Sequence, residues 1–578
     1  MDEEKGVHKY LFIDLNEQKW IEKEISLRPT VGGEALAYHL YAQHQAEEPL
    51  CLALGILSGS PLPCANTLSL VGRSVATNRV EGETVTSTFS TSLATLPWRG
   101  IVLAGSGRRL MSLHIGVDGV TVEASERYLG MSVSQINQNL EGDAILAIGP
   151  AGERGVTFAS IFERDRPIER WGFGALLGSK GVKALVVEGS GVERMPANPE
   201  KFAKAVKKFE KITAKSPFLT TLSSKGDLPI IERGMEWGFC GVNNISRRTD
   251  PRLFHLGSSE MTRRYAPKVD PLDECPFACN LKIGNRRFPS YLEMLALGSN
   301  LGNYDSEVVF DWVEEATEQG LNPISTGVVI GWVMAARLES PSEESFKVKF
   351  GKTRGVKELI RAIGEGRRGG EEIGKGIAYL EETYLKPSQR EKISSHIGGR
   401  EMLPIDPRGA WMGGLFMALG YDTSTVGEVL LQYLSPSSLF SKAEWAVVEE
   451  NLMATFNSVG LSQNLMAPLL FERSRFPFKQ LFLRRPLTAY HWVSTKLVRC
   501  LLGSYLGEKV GVKELVNIGR EAISMREKLN GGELPPLPQR FTLDASSQHS
   551  KESIIPYRKL VERYQFLRAL DLAKYRRS

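Results

Sequence analysis

The chain has 578 residues, of which 42% are hydrophobic and 24% are charged, and a formal net charge of +5. This ordinary globular composition excludes a disordered or collagen-like chain, and so mild a positive charge does not predict a nucleic-acid or membrane partner. Six cysteines are too few for a disulfide framework, and the sequence has neither an apolar run of about 18 residues nor a secretory leader, so we expect a cytoplasmic protein.

Short runs of apolar and β-branched residues between glycines predict strands throughout the first 190 residues. In chain order these runs are KYLFIDL, LCLALGIL, GIVLAG, LMSLHIGVDGVTVEA, AILAIG, GVTFASIF and KALVVEG. The glycines of WGFGALLGSKG could bring backbone amides close to a phosphate, but the charged stretch before them is not a strand. We therefore interpret them as packing residues at a tight turn.

The character of the sequence changes at Pro199, where a proline precedes the helical pattern EKFAKAVKKFEKITAK. Beyond it, apolar residues recur every three or four positions in SYLEMLALGSNLG, EVVFDWVEEATEQG, TGVVIGWVMAARLES, GVKELIRAIGEG, KAEWAVVEENLMATFN and NIGREAISMREKLN. The pattern predicts an α+β protein with a β-rich N-terminal domain at 1–195 and two largely helical domains at 196–400 and 401–578.

Cys275 and Cys279 flank a proline in DPLDECPFACNLKIG and are the one closely spaced cysteine pair. A [4Fe–4S] cluster normally takes four thiolates, and no other cysteine lies near this pair in sequence. Two neighbouring thiols can also be ordinary buried small residues. The eight histidines form no HxxxH pair, so a histidine-based metal site is not predicted.

Several stretches, taken together and in order, resemble the aldehyde:ferredoxin oxidoreductase family of tungsten–pterin enzymes. The most specific are AIGPAGERGVTFASIFERDR and GFGALLGSKGVKALVVEG, followed by LALGSNLG, EQGLNPISTG, LPIDPRGA, FNSVGLS, NIGREAISMREKLN, LPQRF and RYQFLRALD. The resemblance implies an N-terminal base of two β-sheets under two helical domains. It also implies a tungsten held by two pterin dithiolenes beside a [4Fe–4S] cluster, and oxidation of aldehydes to carboxylic acids with ferredoxin as acceptor.

The cluster positions that the resemblance implies are mostly replaced in this sequence. Cys275 and Cys279 match the second and third cysteines of the family's C-x-x-C-x-x-x-C run, and its first position falls on Leu272. The distant fourth cysteine falls on Ser462 in NSVGLS. Leucine cannot ligate iron and serine is a poor substitute for thiolate, so two soft ligands of four remain.

The pterin positions that the resemblance implies have changed in the same way. Carboxylates of two D-x-x-G-L-[CD] segments would accept hydrogen bonds from the pterin rings, but Asn322 and Asn457 stand at two of those positions. Leu321 and Leu461, each following a glycine, persist as packing residues. A glycine-rich phosphate loop is replaced by TSTFSTS at 86–92, while one phosphate-pairing arginine survives as Arg166.

We predict no catalytic residue. The family glutamate near the tungsten aligns with Leu292, next to Glu293, and the family histidine falls near Val426. We also expect three large side chains, Leu292, Phe89 and Trp171, to fill part of the old cofactor cavity.

These replacements favour a degenerate structural or regulatory paralogue with no cofactor or an incomplete set, acting as a homodimer or as a heteromer with a related oxidoreductase. One alternative is an active tungsten–pterin enzyme that oxidises an aldehyde and passes electrons to ferredoxin. A second alternative is a repurposed cleft that binds a small anionic ligand through Arg166 and nearby basic residues. Nucleic acid and membranes are not expected partners.

Overall fold

The computed structural model describes residues 6–270, 280–337, 347–421, 439, 441–472, 495–542 and 555–576. It confirms the α+β class, with two six-stranded sheets in the N-terminal part and a largely helical remainder. Among the described residues, no helix combines the length and the apolar character needed to cross a membrane.

The strands are numbered here in chain order. They are β1 Val7–Asp14, β2 Lys19–Ser26, β3 Leu50–Leu54, β4 Thr67–Arg73, β5 Val80–Thr86, β6 Gly100–Ala104, β7 Met111–Gly116, β8 Gly119–Ala124, β9 Ala144–Ala147, β10 Phe162–Glu163, β11 Arg166–Pro167, β12 Val182–Val187, β13 Lys268–Val269, β14 Leu281–Ile283, β15 Arg286–Arg287, β16 His396–Ile397 and β17 Arg400–Glu401.

The helices are numbered in the same way. They are α1 Leu27–Thr30, α2 Gly33–Gln43, α3 Thr88–Ala94, α4 Val133–Asn139, α5 Pro150–Glu153, α6 Phe173–Ser179, α7 Pro199–Thr213, α8 Pro217–Lys225, α9 Pro229–Trp237, α10 Ser258–Tyr265, α11 Tyr291–Ala296, α12 Ser306–Gln319, α13 Pro323–Ala336, α14 Val356–Glu365, α15 Gly370–Ile373, α16 Gly376–Tyr384, α17 Pro387–Ile393, α18 Trp411–Leu419, α19 Lys442–Val459, α20 Lys496–Leu506, α21 Val512–Asn530 and α22 Tyr557–Arg576.

The N-terminal core lies between the two sheets. The first sheet has the order β2-β1-β6-β3-β4-β5 and the second β11-β10-β9-β12-β7-β8, with β1–β6 and β7–β12 parallel. Strands β3, β6 and β12 are buried along their whole length because both of their faces are covered, which explains their continuous apolar sequences. Helix α2 covers the outer face of the first sheet.

The predicted strands are confirmed except for GVTFASIF, and three strands of mixed composition were missed. Strands β2, β4 and β5 carry many polar residues and were missed by the apolar pattern. The strand predicted for GVTFASIF is wrong except at Phe162. The reason is that its backbone bonds to loops of the helical part: Ser160 N donates to Gly320 O at 3.0 Å and Asn322 N to Phe158 O at 3.0 Å.

The glycines of WGFGALLGSKG are packing residues, as predicted. Gly172 has φ +73° and precedes α6. A Cβ on Gly174 would lie 2.5 Å from Ser160 O, and one on Gly178 would lie 2.1 Å from Gly152 O. Any side chain at these positions would therefore force α6 away from the neighbouring backbone.

The helical predictions are confirmed with shifted ends. The runs predicted as helices correspond to α7, α11, α12, α13, α14, α19 and α21, although α11 is shorter than its run and ends at Ala296. Helix α19 is buried on all sides, packed between α2, α21 and α22. This central position brings its C-terminal end against the N-terminal β-rich part.

Candidate active-site cleft

A cleft of about 400 Å³ lies where the β-rich part, the first helices and the C-terminal helices meet. We call it the central cleft. Its walls include residues at 83–85, 166–170, 287–290 and 463–464, together with Asp227, Leu292, Glu293, Asn322, Ile324, Tyr421 and Met453.

The first glycine–leucine turn lies directly behind this cleft and is built by close backbone contact. Gly320 ends α12 with φ +75°, and a Cβ there would lie 2.6 Å from the Gly149 backbone. Leu321 is fully buried and forms an isolated β-bridge with Ala159. Both residues pack the helical part against the N-terminal β-rich part.

Asn322 is fully engaged by the fold around it. Its Oδ1 caps α13 by accepting hydrogen bonds from the N–H groups of Ile324 at 3.0 Å and Ser325 at 3.2 Å. Its Nδ2 donates to the carbonyl oxygen of Glu169 at 3.0 Å. An asparagine at this position therefore provides partners both for the N–H groups at the start of α13 and for a carbonyl oxygen of the β-rich part.

The second glycine–leucine turn follows α19 and repeats this arrangement. Gly460 has φ +96°, and Gly55 approaches it so closely that a Cβ on Gly55 would lie 2.0 Å from the Gly460 Cα. Leu461 is fully buried. Ser462 accepts a hydrogen bond from Asn464 N at 3.3 Å and so caps the short turn that follows.

Asn457 lies in the last turn of α19 and is 4% exposed. Its Nδ2 donates to Glu34 Oε2 at 2.8 Å, and its Oδ1 accepts from Gln463 Nε2 at 3.1 Å. Burial raises the pKa of Glu34, although the amide of Asn457 acts in the opposite direction. The asparagine thus supplies the hydrogen bond that a buried carboxyl requires.

Arg166 lies on β11 at the wall of the central cleft. Its guanidinium forms an ion pair with Asp270, Nη2 to Oδ2 at 3.8 Å, and Lys282 lies 3.3 Å from the same carboxylate oxygen. Asp270 is 3% exposed. The arginine that the sequence singled out is therefore in the cleft, with a carboxylate beside it.

The stretch TSTFSTS, predicted as a loop, is the end of β5 followed by α3, which begins at Thr88. The carboxylate of Glu163, from β10, sits at the start of this helix. Its Oε1 accepts hydrogen bonds from Ser87 Oγ at 2.9 Å, Thr88 Oγ1 at 2.7 Å and Phe89 N at 2.7 Å. A carboxylate of the protein itself thus occupies the place where helix-start donors would hold an anion.

The lining of the central cleft also includes a largely buried ion pair between Arg287 and Glu293. Arg287 donates to Glu293 through Nη1 at 2.8 Å and Nη2 at 2.7 Å, and Glu293 also completes the capping box of α11 with Ser290. Burial opposes ionisation of Glu293, but the guanidinium outweighs it and lowers the pKa of this carboxyl.

Asp227 is a carboxyl of the cleft whose surroundings oppose its ionisation. Burial raises its pKa to about 7, and the charge of Glu293 acts in the same direction. Its Oδ1 accepts one hydrogen bond from Tyr291 N at 2.9 Å. A carboxyl that is half protonated near neutral pH can accept or donate a proton to a molecule in the cleft.

The remaining predicted positions divide into three groups. Leu272, Cys275, Cys279 and Val426 lie outside the described residues. Leu292 lines the cleft as predicted. Phe89 and Trp171 are buried in the core of the two sheets and do not line the central cleft, so their filling of the old cofactor cavity stays a prediction.

Sequence reasoning missed Glu163, Asp227 and the Arg287–Glu293 pair. The S-x-x-E spacing of Ser290 and Glu293 is a capping-box signature that could have located the last of these. Nothing local in the sequence marks Glu163, because its three donors lie about 75 residues earlier in the chain.

Comparison with known proteins agrees with this architecture. Residues 10–189 match the model of the aldehyde ferredoxin oxidoreductase N-terminal domain, and residues 204–572 match that of domains 2 and 3. The tungsten-containing aldehyde ferredoxin oxidoreductase of Pyrococcus furiosus is 26% identical over 400 residues, which is 66% of this chain and 64% of that protein. The WOR-like subunit of an aliphatic sulfonate oxidoreductase from the same organism is 25% identical over 461 residues, covering 68% of this chain and 70% of the relative.

A solved structure shares the fold. The active-site complex BamBC of benzoyl coenzyme A reductase, in complex with 1,5-dienoyl-CoA, superposes with a TM-score of 0.75 at 16% identity. The match covers 97% of this chain and 94% of the other. The two-sheet base and its helical remainder are thus shared with that structure. The chain belongs to the aldehyde ferredoxin oxidoreductase family.

Proposed function

We propose that this family member has lost the tungsten–pterin and [4Fe–4S] chemistry and serves as a structural or regulatory subunit, paired with a related oxidoreductase. The observation that carries the proposal is Glu163 at the start of α3. It accepts three hydrogen bonds from the segment that the resemblance assigns to the pterin phosphate.

A phosphate at this position would meet a negative charge in place of free donors. To bind, it would have to displace the Glu163 carboxylate, which is tied to the sheet through β10, or lie beside it with two like charges in contact. The donors at 87–89 therefore do not fit a pterin phosphate as the chain is folded.

Asn322 and Asn457 also support the loss of pterin binding. Ring N–H groups of a pterin need acceptors that are free to receive them. The amide oxygen of Asn322 already accepts two backbone hydrogen bonds, and that of Asn457 already accepts one from Gln463. A neutral amide is also a weaker acceptor than the carboxylate that the resemblance implies.

The positions that the resemblance assigns to the [4Fe–4S] cluster carry too few thiolate ligands. Cys275 and Cys279 provide two thiols, Leu272 provides none, and the hydroxyl of Ser462 is the cap of the turn behind Leu461. Together these residues do not make the four-thiolate set of an ordinary [4Fe–4S] cluster.

The partner in this proposal is supported by the nature of two similar proteins. One relative is named as a subunit of a sulfonate oxidoreductase, and the structural match is described as a BamBC complex. The simplest reason for a fold to persist without its catalytic activity is that its surface is needed in a protein complex. A homodimer is the alternative assembly.

The charges of the central cleft do not favour the anion-binding alternative. Its described walls carry three arginines and four carboxylates, and two of those arginines, Arg166 and Arg287, have a carboxylate partner. Since the cleft holds no excess of positive charge, a small anion would find few uncompensated partners there.

Metal content tests the loss of chemistry. The protein would be purified without oxygen beside a tungsten-containing relative as positive control, and both would be analysed by elemental mass spectrometry and absorption. We expect less than about 0.1 tungsten and less than about one iron per chain, with no broad absorbance near 400 nm. Stoichiometric tungsten or molybdenum with four irons would instead support an active aldehyde oxidoreductase that uses ferredoxin.

Association tests the subunit role. The chain would be expressed alone and together with a family oxidoreductase from the same genome, and the masses of the complexes would be measured by light scattering after size-exclusion chromatography. We expect a stable mixed complex, and a change in the activity of the partner when the chain is present. A chain that remains separate from every such relative would contradict the proposal.

A further inference from the structure

A second feature, far in sequence from the cleft residues, is a groove between α7 and α20. It has a volume of about 740 Å³ and is lined by Lys201, Lys204, Lys208, Lys496, Arg499 and Lys509. We call it the basic groove. The floor between these cations is formed by small and apolar residues, including Ala205, Leu497 and Val510.

The two walls of the basic groove are held firmly together. The rings of Phe202 and Tyr505 pack with centroids 6.1 Å apart. The backbone before α7 bonds to the end of α20, Ala197 N to Tyr505 O at 2.9 Å and Asn198 N to Ser504 O at 2.9 Å. The groove is therefore part of the packed fold and does not depend on surface side chains for its shape.

The positive charges line up because of helical spacing. Lys201, Lys204 and Lys208 recur at i, i+3 and i+7, so they share one face of α7, and Lys496 and Arg499 are three apart on α20. All five lysines of the groove are exposed. Among the described residues, none of these lysines has an ion-pair partner within 4 Å, and the groove's one carboxylate, Glu508, is paired with Arg28.

Six cations around one groove repel one another unless a negative partner covers them. We propose that the basic groove docks an acidic segment of a partner protein, one that alternates Asp or Glu with apolar side chains. The carboxylates would meet the lysines at the rim, and the apolar side chains would cover the floor.

The details of the groove favour a peptide over a phosphate-bearing ligand. Phosphate sites often combine cationic side chains with free backbone amides at a helix start. Here the start of α7 is closed by Pro199 and by the Asn198 side chain, which accepts a hydrogen bond from Lys201 N at 3.1 Å. The lysines of α7 spread over seven residues, roughly 10 Å of helix, which suits an extended acidic segment.

The inference rests on the proposed function only in expecting a protein partner. Its residues are separate from the central cleft, so metal content and groove binding can fail independently. An active tungsten enzyme could still dock a partner here, and an empty scaffold could lack this contact.

A charge-reversal pair with a matched control tests the groove. The probe is a fluorescent twelve-residue peptide of alternating Glu and Leu, with binding to the full chain followed by anisotropy at low and at physiological salt. Lys204→Glu with Lys208→Glu changes two groove lysines. Lys207→Glu with Lys211→Glu makes the same change of charge on the same helix at exposed positions outside the groove.

We expect the groove pair to weaken peptide binding by at least about tenfold and the control pair by less than about twofold, with affinity falling as salt rises. Equal weakening by both pairs would mean general attraction to a basic surface and would overturn the proposal. Absence of peptide binding to the unmodified chain at low salt would overturn it as well.

Cys500 supplies a second measurement on the unmodified protein, since its exposed thiol lies in the groove. We expect saturating peptide to slow alkylation of Cys500 by N-ethylmaleimide, followed by mass spectrometry of the fragment that carries it. An unchanged rate would place the peptide elsewhere and refute the docking site. Stronger protection by inositol hexakisphosphate, or by phosphatidylserine vesicles, than by the peptide would likewise refute a protein partner.

Discussion

The C-terminal helical core and the central cleft treat their ionisable groups differently. In the C-terminal helical core, Glu450 of α19 is fully buried and accepts hydrogen bonds from Arg526, Arg568 and Tyr564. Burial opposes its ionisation, but the two guanidinium groups outweigh burial and lower the pKa of Glu450. In the central cleft, Asp227 has one backbone donor, and burial raises its pKa to about 7.

The difference separates architecture from chemistry. A buried carboxylate surrounded by matched donors fixes how helices pack and has no capacity left for a ligand. A carboxyl that lacks such partners stays close to its protonation midpoint and can respond to whatever enters the cleft. Buried charge alone is therefore no sign of an active site in this family member.

The largest effect expected from this comparison is in the helical core. Glu450→Ala leaves Arg526 and Arg568 buried without their carboxylate, and we expect the free energy of unfolding to fall by about 3–5 kcal/mol. Chemical denaturation followed by circular dichroism measures it. Glu444→Ala, which removes a partly exposed pair with Arg563, should cost less than about 1 kcal/mol. Equal losses would contradict the distinction.

The next effect concerns the carboxylate at the start of α3. Glu163→Ala removes the acceptor of three donors, so we expect a loss of about 1–3 kcal/mol of stability. Added phosphate should stabilise the alanine variant more than the wild type, because the donors at 87–89 become free. Thermal denaturation with and without phosphate measures both, and Glu163→Gln, which keeps an acceptor oxygen, is the control. An unchanged response to phosphate would count against an anion position there.

Asp227 should make stability depend on pH. Between the ordinary aspartate pKa of 3.8 and about 7, the folded protein holds a proton that the unfolded chain has released. Raising the pH through this interval therefore disfavours the folded state, by at most about 1.4 kcal/mol per pH unit from this group. Asp227→Asn should flatten the profile between pH 5 and pH 7, and exposed Asp118→Asn should not. Superimposable stability profiles for wild type and Asp227→Asn would show that Asp227 does not cause the pH dependence.

The smallest effect is expected at Asn322, whose side chain belongs to the fold. Asn322→Ala removes the cap of α13 and should cost about 1 kcal/mol, while Asn322→Ser keeps a capping oxygen and should cost less. The two denaturation midpoints compare these variants directly. A stabilising Asn322→Ala substitution would show that the amide is kept for a ligand and strains the folded state.

The sequence predicted much of the fold because the relevant patterns are local. The proline and the apolar spacing predicted α7, and the apolar period predicted α12 and α14. Continuous apolar runs predicted the buried strands β3, β6 and β12. The polar strands β4 and β5 escaped because no continuous apolar run marks them. The cleft was harder to predict, since Arg166, Asp227 and Asn322 come together from three separate parts of the chain.

By itself the sequence determined the family, the α+β class and the replacements at Asn322, Asn457 and Ser462, because ordered motifs and residue identities can be read without coordinates. The tertiary structure alone decided what the replacements do. Asn457 bonds to Glu34, 423 positions away, and Glu163 reaches donors about 75 positions earlier. A hydrogen bond forms between groups that the fold brings within about 3 Å, and no local pattern encodes partners so distant in the chain.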